Sequence, residues 1–322
     1  MKRTNTMDAP DAAYAAADRL LTLHGRSFHW ARRLLGARHA QRATRLYGFC
    51  RRIDDLADDA TSPVTAHAAL DTIKRALKCG WSDDAEVRDM LQLMDSCHID
   101  ASIPLELIRG VGSDLGEVRV ADMDELLRYC YRVAGTVGVM MTSALDVTAP
   151  EALPHAIDLG IAMQLTNICR DVRDDALLGR RYLPATLVGE LTPAALIDPS
   201  SEVRATATHA LCTLLDLADR FYASGEQGLR YLPAGARTGI LVTARVYRGI
   251  GTVLREREYD CWSSRAMVGI GGKAAITLRA LAGTLGTRRG SPTPAPVPNT
   301  RPHGVLPPYP GPAWLAEAGV AD

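Results

Sequence analysis

Four residues near the middle of the chain, Gln164, Asn167, Asp171 and Asp175, are spaced three, four and four apart within the stretch GIAMQLTNICRDVRDDALLGRRYLP, Gly160 to Pro184. On an α-helix this spacing stacks them along one face, because a four-residue step returns to within about 40° of its starting direction. Like charges four apart cost a helix a few tenths of a kcal/mol. Aligned carboxylates in an otherwise apolar segment therefore ask for a cation. Carboxylate and amide oxygens are hard ligands that suit Mg²⁺ or Mn²⁺ better than zinc.

The arrangement recurs upstream. In CRRIDDLADD, Cys50 to Asp59, Asp54 and Asp58 are again four apart, with Arg51 a turn ahead of them, as Arg170 directly precedes Asp171. Mg²⁺ keeps several waters and is usually completed by substrate phosphates. Two facing acidic helices with nearby arginines thus predict a pocket for a metal-bound diphosphate. One acidic run alone is more simply a solvated helix face; two matching runs, one with Gln164 and Asn167 in register, favour the site.

The elements that must position these residues are helices. Helical periodicity covers Asp11–Leu23, His39–Asp59, Thr65–Lys78, Ala85–Cys97, Met123–Leu145, Glu151–Asp175, Ser201–Ser224 and Gly235–Glu258. Strand-like alternation is scarce and only 5% of residues are aromatic, so the reading is all-α. Nine of the 18 prolines lie from Pro292 onward. The chain is therefore divided into one domain, residues 1–290, and a Pro-rich tail, 291–322, expected to be disordered. The apolar residues Ile161, Leu165, Ile168 and Val172 leave the acidic face and are expected in the core.

Composition narrows the function. Lys+Arg and Asp+Glu number 37 each, and no basic stripe argues for nucleic acid. The seven cysteines form no CxxC pair, their number is odd and no signal peptide is read, so reduced thiols in a cytoplasmic protein are expected. The longest uncharged run of the helical part, Val133 to Leu145, is too short to cross a bilayer. No glycine-rich nucleotide-binding loop occurs.

Further residues could carry chemistry. His24 to Phe28 (HGRSF) break the first helix, with Ser27 a plausible N-cap. Tyr47 shares the Asp54 face seven residues back, Tyr129 and Tyr131 open the small-residue helix, and Arg180, Arg181 and Tyr182 follow the second acidic run. Arg245, Tyr247 and Arg265 could reach a diphosphate. Ala43 and Thr44, small residues roughly 16 Å from Asp54 along its helix, leave room for the far end of a long chain.

HGRSF, LYGFCRRIDDLADD, LRYCYRVAGTVGVMM, LGIAMQLTNICRDVRDDALLGRRYLP and ARVYRGIG, in this order, resemble the squalene/phytoene synthase family, most closely its bacterial phytoene synthases. The likeness spans roughly Asp11 to Ala280. It implies a single-domain isoprenoid synthase (class I terpenoid synthase) helical fold with a central cavity. Carried over by motif, the metal ligands fall on Asp54, Asp58, Asn167, Asp171 and Asp175, with Gln164 beside them. Diphosphate contacts fall on Arg51, Arg170, Tyr47 and Tyr247, with Ser27 and Phe28 at the same site; Tyr129, Tyr182 and Arg265 complete the expected substrate-binding set. The segment RGVGSD, Arg109 to Asp114, matches only loosely, and Asp114 is not included as a ligand. Arg173 departs from the family's usual pair between the aspartates, but its side chain should leave the acidic face.

The resemblance implies a head-to-head condensation of two geranylgeranyl diphosphates to phytoene, dependent on Mg²⁺ or Mn²⁺ and expected to need no NADPH, with peripheral contact to the inner face of the membrane for product release. A farnesyl-using C30 synthase would share every motif. A chain-elongating prenyltransferase would share DDxxD at Asp54–Asp58, but the second run lacks that pattern. A non-catalytic assembly factor of the same fold would be expected to lose acidic ligands, and all four are retained.

Overall fold

The computed structural model describes residues 9–24, 29–30, 32–58 and 62–286. Ser27, Phe28 and the Pro-rich tail lie outside the described residues. In chain order the helices are α1 (Ala9–His24), α2 (Ala37–Asp58), α3 (Pro63–Cys79), α4 (Ala85–Cys97), α5 (Ser102–Gly112), α6 (Met123–Cys130), α7 (Thr136–Ala144), α8 (Ala152–Arg170), α9 (Val172–Leu177), α10 (Ala185–Val188), α11 (Pro193–Ile197), α12 (Ser201–Gly228), α13 (Ala234–Glu256) and α14 (Ile270–Gly286). Among the described residues the one ladder contact is an isolated bridge, Arg119 with Arg181.

Local chemistry starts these helices where it should. The side chains of Ser62, Asp84, Asp122 and Ser200 accept from backbone N–H groups of Thr65, Glu86 and Val87, Glu125, and Val203. Each such cap is worth about 1 kcal/mol. Gly80, at φ 72°, closes α3 with its N–H on the Ala76 carbonyl, the left-handed stop that glycine takes without a Cβ penalty. Four helices, α5, α10, α11 and α14, lie outside the helical spans named from the sequence. α5 carries Pro104 and two glycines, yet proline in a first turn costs little, and Ile103, Leu107, Ile108 and Val111 bury it. α14 carries Gly271 and Gly272 in its first turn.

α8 is the central helix, packed against α7, α12 and α13. Ile161, Leu165, Ile168 and Val172 are all at most 4% exposed, as expected from their spacing. Two helices meet its wall almost backbone to backbone: a Cβ on Gly138 would run into the Ala156 carbonyl, and one on Gly160 into that of Ala134.

Two expected helices are interrupted. Met123–Leu145 is split by a π-helical turn, Tyr131–Gly135, a single-turn widening that recurs near functional sites. Glu151–Asp175 is bent at Asp171, whose φ −107° and ψ 17° leave the helical well for the bridge region. Backbone hydrogen bonds continue on both sides, Asp171 N to Asn167 O at 2.9 Å and Asp175 N to Asp171 O at 2.8 Å. The four stacked residues therefore do not share one straight face. Asp171 is the corner, and Asp175 turns away with α9.

Candidate active site

A cavity of about 300 Å³ runs between α2, α7, α8 and α13, within the size range of small-molecule sites. Each helix brings polar residues to one end and small or apolar ones to the other. α2 lines it with Asp54 and Tyr47, then Thr44 and Ala43; α8 with Asn167 and Gln164, then Gly160, Ala156 and Ala152; α13 with Tyr247, then Thr243 and Gly239. Val133, Val137 and Met141 form the apolar side. Ala43 and Thr44 thus reach this space, as their place on the Asp54 helix leads one to expect, and Val133–Leu145 contributes to its wall.

The mouth gathers carboxylates that repel each other. Burial pushes the Asp54 carboxyl up to about 7; Arg51 opposes this, and Asp58, Asp114 and Asp55 add to it. Burial and Asp171 push Asp175 up to about 8, against Arg180 and with help from Asp114. Residues from both acidic runs thus feel Asp114, whose own carboxyl is raised by burial to about 6. The residue set aside in the sequence lies between the two motifs. Its oxygens accept hydrogen bonds from the Tyr129 hydroxyl at 2.9 Å and the Tyr182 hydroxyl at 2.7 Å. The two rings stack with centroids 4.8 Å apart, so both tyrosines of the expected set are fixed on one carboxylate.

The arginines are occupied by aspartates. Arg170 grips both oxygens of Asp171, and Arg265 does so from the other side at 3.0 Å to each. Arg51 pairs with Asp55. Arg180 donates to Asp58 at 2.9 Å and tethers the first acidic run to the loop after the second. Burial pushes the Tyr47 hydroxyl up to about 12, and Tyr247 adds to the rise. Tyr247 in turn faces Arg170 and Arg265. Of the expected residues, Asp54, Asp58, Asp171, Asp175, Arg51, Arg170, Tyr47, Tyr129, Gln164, Asn167, Tyr182, Tyr247 and Arg265 all belong to this connected mouth. Arg245 does not; it pairs with Glu226. Arg173 leaves the acidic face for the Ile197 carbonyl.

The sequence reading sets Asp114 aside and names Arg180 only as following the second acidic run. Arg180 adjoins the second run, and only the fold reveals that it reaches Asp58. Asp114 sits in a segment whose glycines and serine carry no helical or acidic pattern; no local signal marks it.

The donor set suits a divalent cation. The Asn167 side-chain oxygen is buried and accepts from no group, while its amide nitrogen donates to Gln164 at 3.3 Å. Raised carboxyls beside an unused amide oxygen are what hard-cation ligands look like before the cation arrives. Among the described residues no three acidic, histidine or cysteine side chains converge tightly enough to cage an ion alone. An ion here would need water and phosphate oxygens as well, which is the habit of Mg²⁺.

An all-helical domain with an apolar cavity and two acidic helices at its mouth is the architecture of the class I isoprenoid synthases. Among solved structures the fold is similar to a dehydrosqualene synthase bound to a ligand (TM-score 0.75, 23% identity, 86% of this chain and 98% of that one). The family model for squalene/phytoene synthase matches residues 21–271, and the chain belongs to that family. Over 269 residues it is 33% identical to the phytoene synthase of Pseudescherichia vulneris, covering 79% of this chain and 86% of that protein. It is 31% identical over 268 residues to the 15-cis-phytoene synthase of Enterobacter agglomerans, covering 79% and 90%.

Proposed function

We propose that this chain is a 15-cis-phytoene synthase: a prenyltransferase that joins two geranylgeranyl diphosphates head to head, releases both diphosphates and two protons from the carbon skeleton, and opens a carotenoid pathway. The observation that carries this reading is the pairing of two acidic helices across the mouth of an apolar cavity, in a chain whose relatives include named phytoene synthases.

The family's substrates are prenyl diphosphates, and their use generally depends on a divalent metal. In this chain Asp54, Asp58, Asn167, Asp171 and Asp175 would hold Mg²⁺ or Mn²⁺. When bound, the ion neutralises charge growing on the departing diphosphate. Arg51 and Arg170 deliver further positive charge to the same oxygens once they exchange carboxylate for phosphate partners. Tyr47, Tyr247, Gln164 and Arg265 position the head group, and Tyr129 and Tyr182, anchored on Asp114, hold the reacting carbons beside it. Val133, Val137 and Met141 keep water from the allylic cation, which would otherwise be quenched. The cation alkylates the second substrate's double bond, and loss of a proton closes the ring to a cyclopropyl (prephytoene) diphosphate. A second ionisation, rearrangement and loss of one proton yield phytoene, with no electrons consumed. Geranylgeranyl diphosphate is the substrate, and no nucleic acid partner is involved. Among the described residues no helix is long and apolar enough to cross a membrane; release of a forty-carbon hydrocarbon is assigned to peripheral contact with a membrane surface.

The deciding experiment incubates the protein with Mg²⁺ and farnesyl or geranylgeranyl diphosphate, with and without NADPH, and analyses the hydrocarbons. Phytoene from the C20 substrate, independent of NADPH, is expected. Squalene or dehydrosqualene as the dominant product would replace this reading with a C30 synthase, and no hydrocarbon from either substrate would remove it.

A further inference from the structure

The mechanism above leaves one polar cluster of the cavity unused. His155 lines the deep end of the cavity, is only 5% exposed, and lies twelve residues before Asn167 on α8, about 18 Å away along the helix axis. Its Nδ1 is 3.1 Å from the Ser224 hydroxyl oxygen, and that hydroxyl donates to the Asp158 carboxylate at 2.5 Å. Because the serine proton is committed to Asp158, the serine oxygen accepts, and Nδ1 carries the proton that it receives. The ring also lies against Tyr231, with centroids 6.3 Å apart and planes 22° from parallel. α12 makes room at Gly228, where a Cβ would run into the Cβ of His155.

A buried polar chain at the apolar end of a cavity costs desolvation that a leucine would avoid. What it provides is rigidity: an imidazole fixed by a hydrogen bond, a charge-assisted relay and a stacked ring has one position. Leading to it from the mouth, α8 presents Gly160, Ala156 and Ala152 every fourth residue, a track too narrow to interrupt an isoprenoid chain.

We propose that His155, fixed by Ser224 and Asp158, is the end stop for one prenyl chain lying along the α8 track, and so a determinant of substrate length. This rests on the reading of the cavity as a prenyl-diphosphate site. A removable, rigid stop makes length discrimination sharp: enlarging the space admits one more isoprene unit, and filling it excludes the last.

The test compares His155→Ala and His155→Trp with the parent protein. Competitive binding of farnesyl, geranylgeranyl and geranylfarnesyl thiolodiphosphates, which do not ionise readily, is measured with Mg²⁺, beside hydrocarbon products from the same mixture of diphosphates. His155→Ala should raise the preference for the C25 over the C20 chain at least about ten-fold, and His155→Trp should raise that for C15 over C20 similarly, as expected for overfilling an apolar site. Ser224→Ala should move preference the same way as His155→Ala but less, with Ser224→Thr restoring it. Ala152→Phe fills the same end from another residue and decides the matter if the His155 variants do not fold. Unchanged chain preference in folded variants overturns the end stop. Absence of any thiolodiphosphate binding by the parent protein would instead remove the underlying reading of the cavity, and with it this proposal.

Discussion

Arg180 and Asp58 are 122 residues apart in the chain, yet the guanidinium donates to the carboxylate at 2.9 Å. The loop that follows the second acidic run is thereby fastened to the last aspartate of the first. Asp58 is 36% exposed, so the pair contributes at most about 1 kcal/mol to stability. Its value is positional: it brings a cation to a mouth crowded with carboxylates from three parts of the chain. We expect Arg180→Ala to leave the melting temperature within a few degrees of the parent and to lower turnover about 100-fold, the scale of losing one preorganised charge at a developing anion. Steady-state kinetics beside thermal melts will check it; parental turnover would show that the tether is only a surface pair.

The aspartates themselves are the next target. Asp54→Asn and Asp171→Asn keep size and shape but remove a charged ligand, which should raise the barrier by several kcal/mol and abolish nearly all turnover. Circular dichroism establishes that the variants are folded. Near-parental activity in either folded variant counts decisively against the site.

Stability should depend on pH in a direction opposite to that of ordinary salt-bridged aspartates. Asp54, Asp114 and Asp175 have carboxyls raised to about 7, 6 and 8, above the unfolded value near 3.9. The folded state then binds more protons than the unfolded one, and stability is lost as pH rises through the folded values. Without metal, the melting temperature should fall between about pH 5 and 8, and Mg²⁺ at pH 8 should restore it with release of protons. A melting temperature that is flat with pH and indifferent to Mg²⁺ would contradict the crowding of charge at the mouth.

Product length offers a separate test on α2. Ala43 and Thr44 line the cavity at about the same depth below Asp54 as His155 lies below Asn167. Thr44→Trp or Ala43→Phe should shift the C40-to-C30 hydrocarbon ratio about ten-fold toward C30 from an equimolar mixture of the two substrates. Thr44 also bonds the Ala40 carbonyl and accepts from Arg32, so folding must be verified by melting. An unchanged ratio in folded, active variants would place the second chain elsewhere.

The acidic runs, their helices and the packed positions of α8 were legible because each is a periodic pattern within one element. Asp54 with Asp58, and Ile161 with Leu165, need only a 3.6-residue repeat to be recognised. What could not be read was geometry made between elements. The corner at Asp171 arises where Arg170 and Arg265 grip one carboxylate, and Arg265 is 94 residues away. The π-turn at Tyr131–Gly135 leaves no composition signal, since its residues are also helix formers. Asp114 joins the mouth through two tyrosines from α6 and the loop after α9, a convergence no single stretch encodes. α5 lies outside the helical spans named from the sequence because glycine and proline weigh heavily in local propensity and lightly in a buried helix.

The near-contact of backbones at Gly138 and Gly160 bears on how such a protein can diverge. Where a wall is made of side chains, its width drifts with every substitution; where it is made of main-chain atoms, even the smallest added carbon is refused. The girth of the cavity at that level is thus held by covalent geometry and is closed to gradual change. Its depth, bounded by replaceable residues such as Thr44 and His155, stays open. Descendants of this chain are free to explore longer and shorter substrates, but not thicker ones.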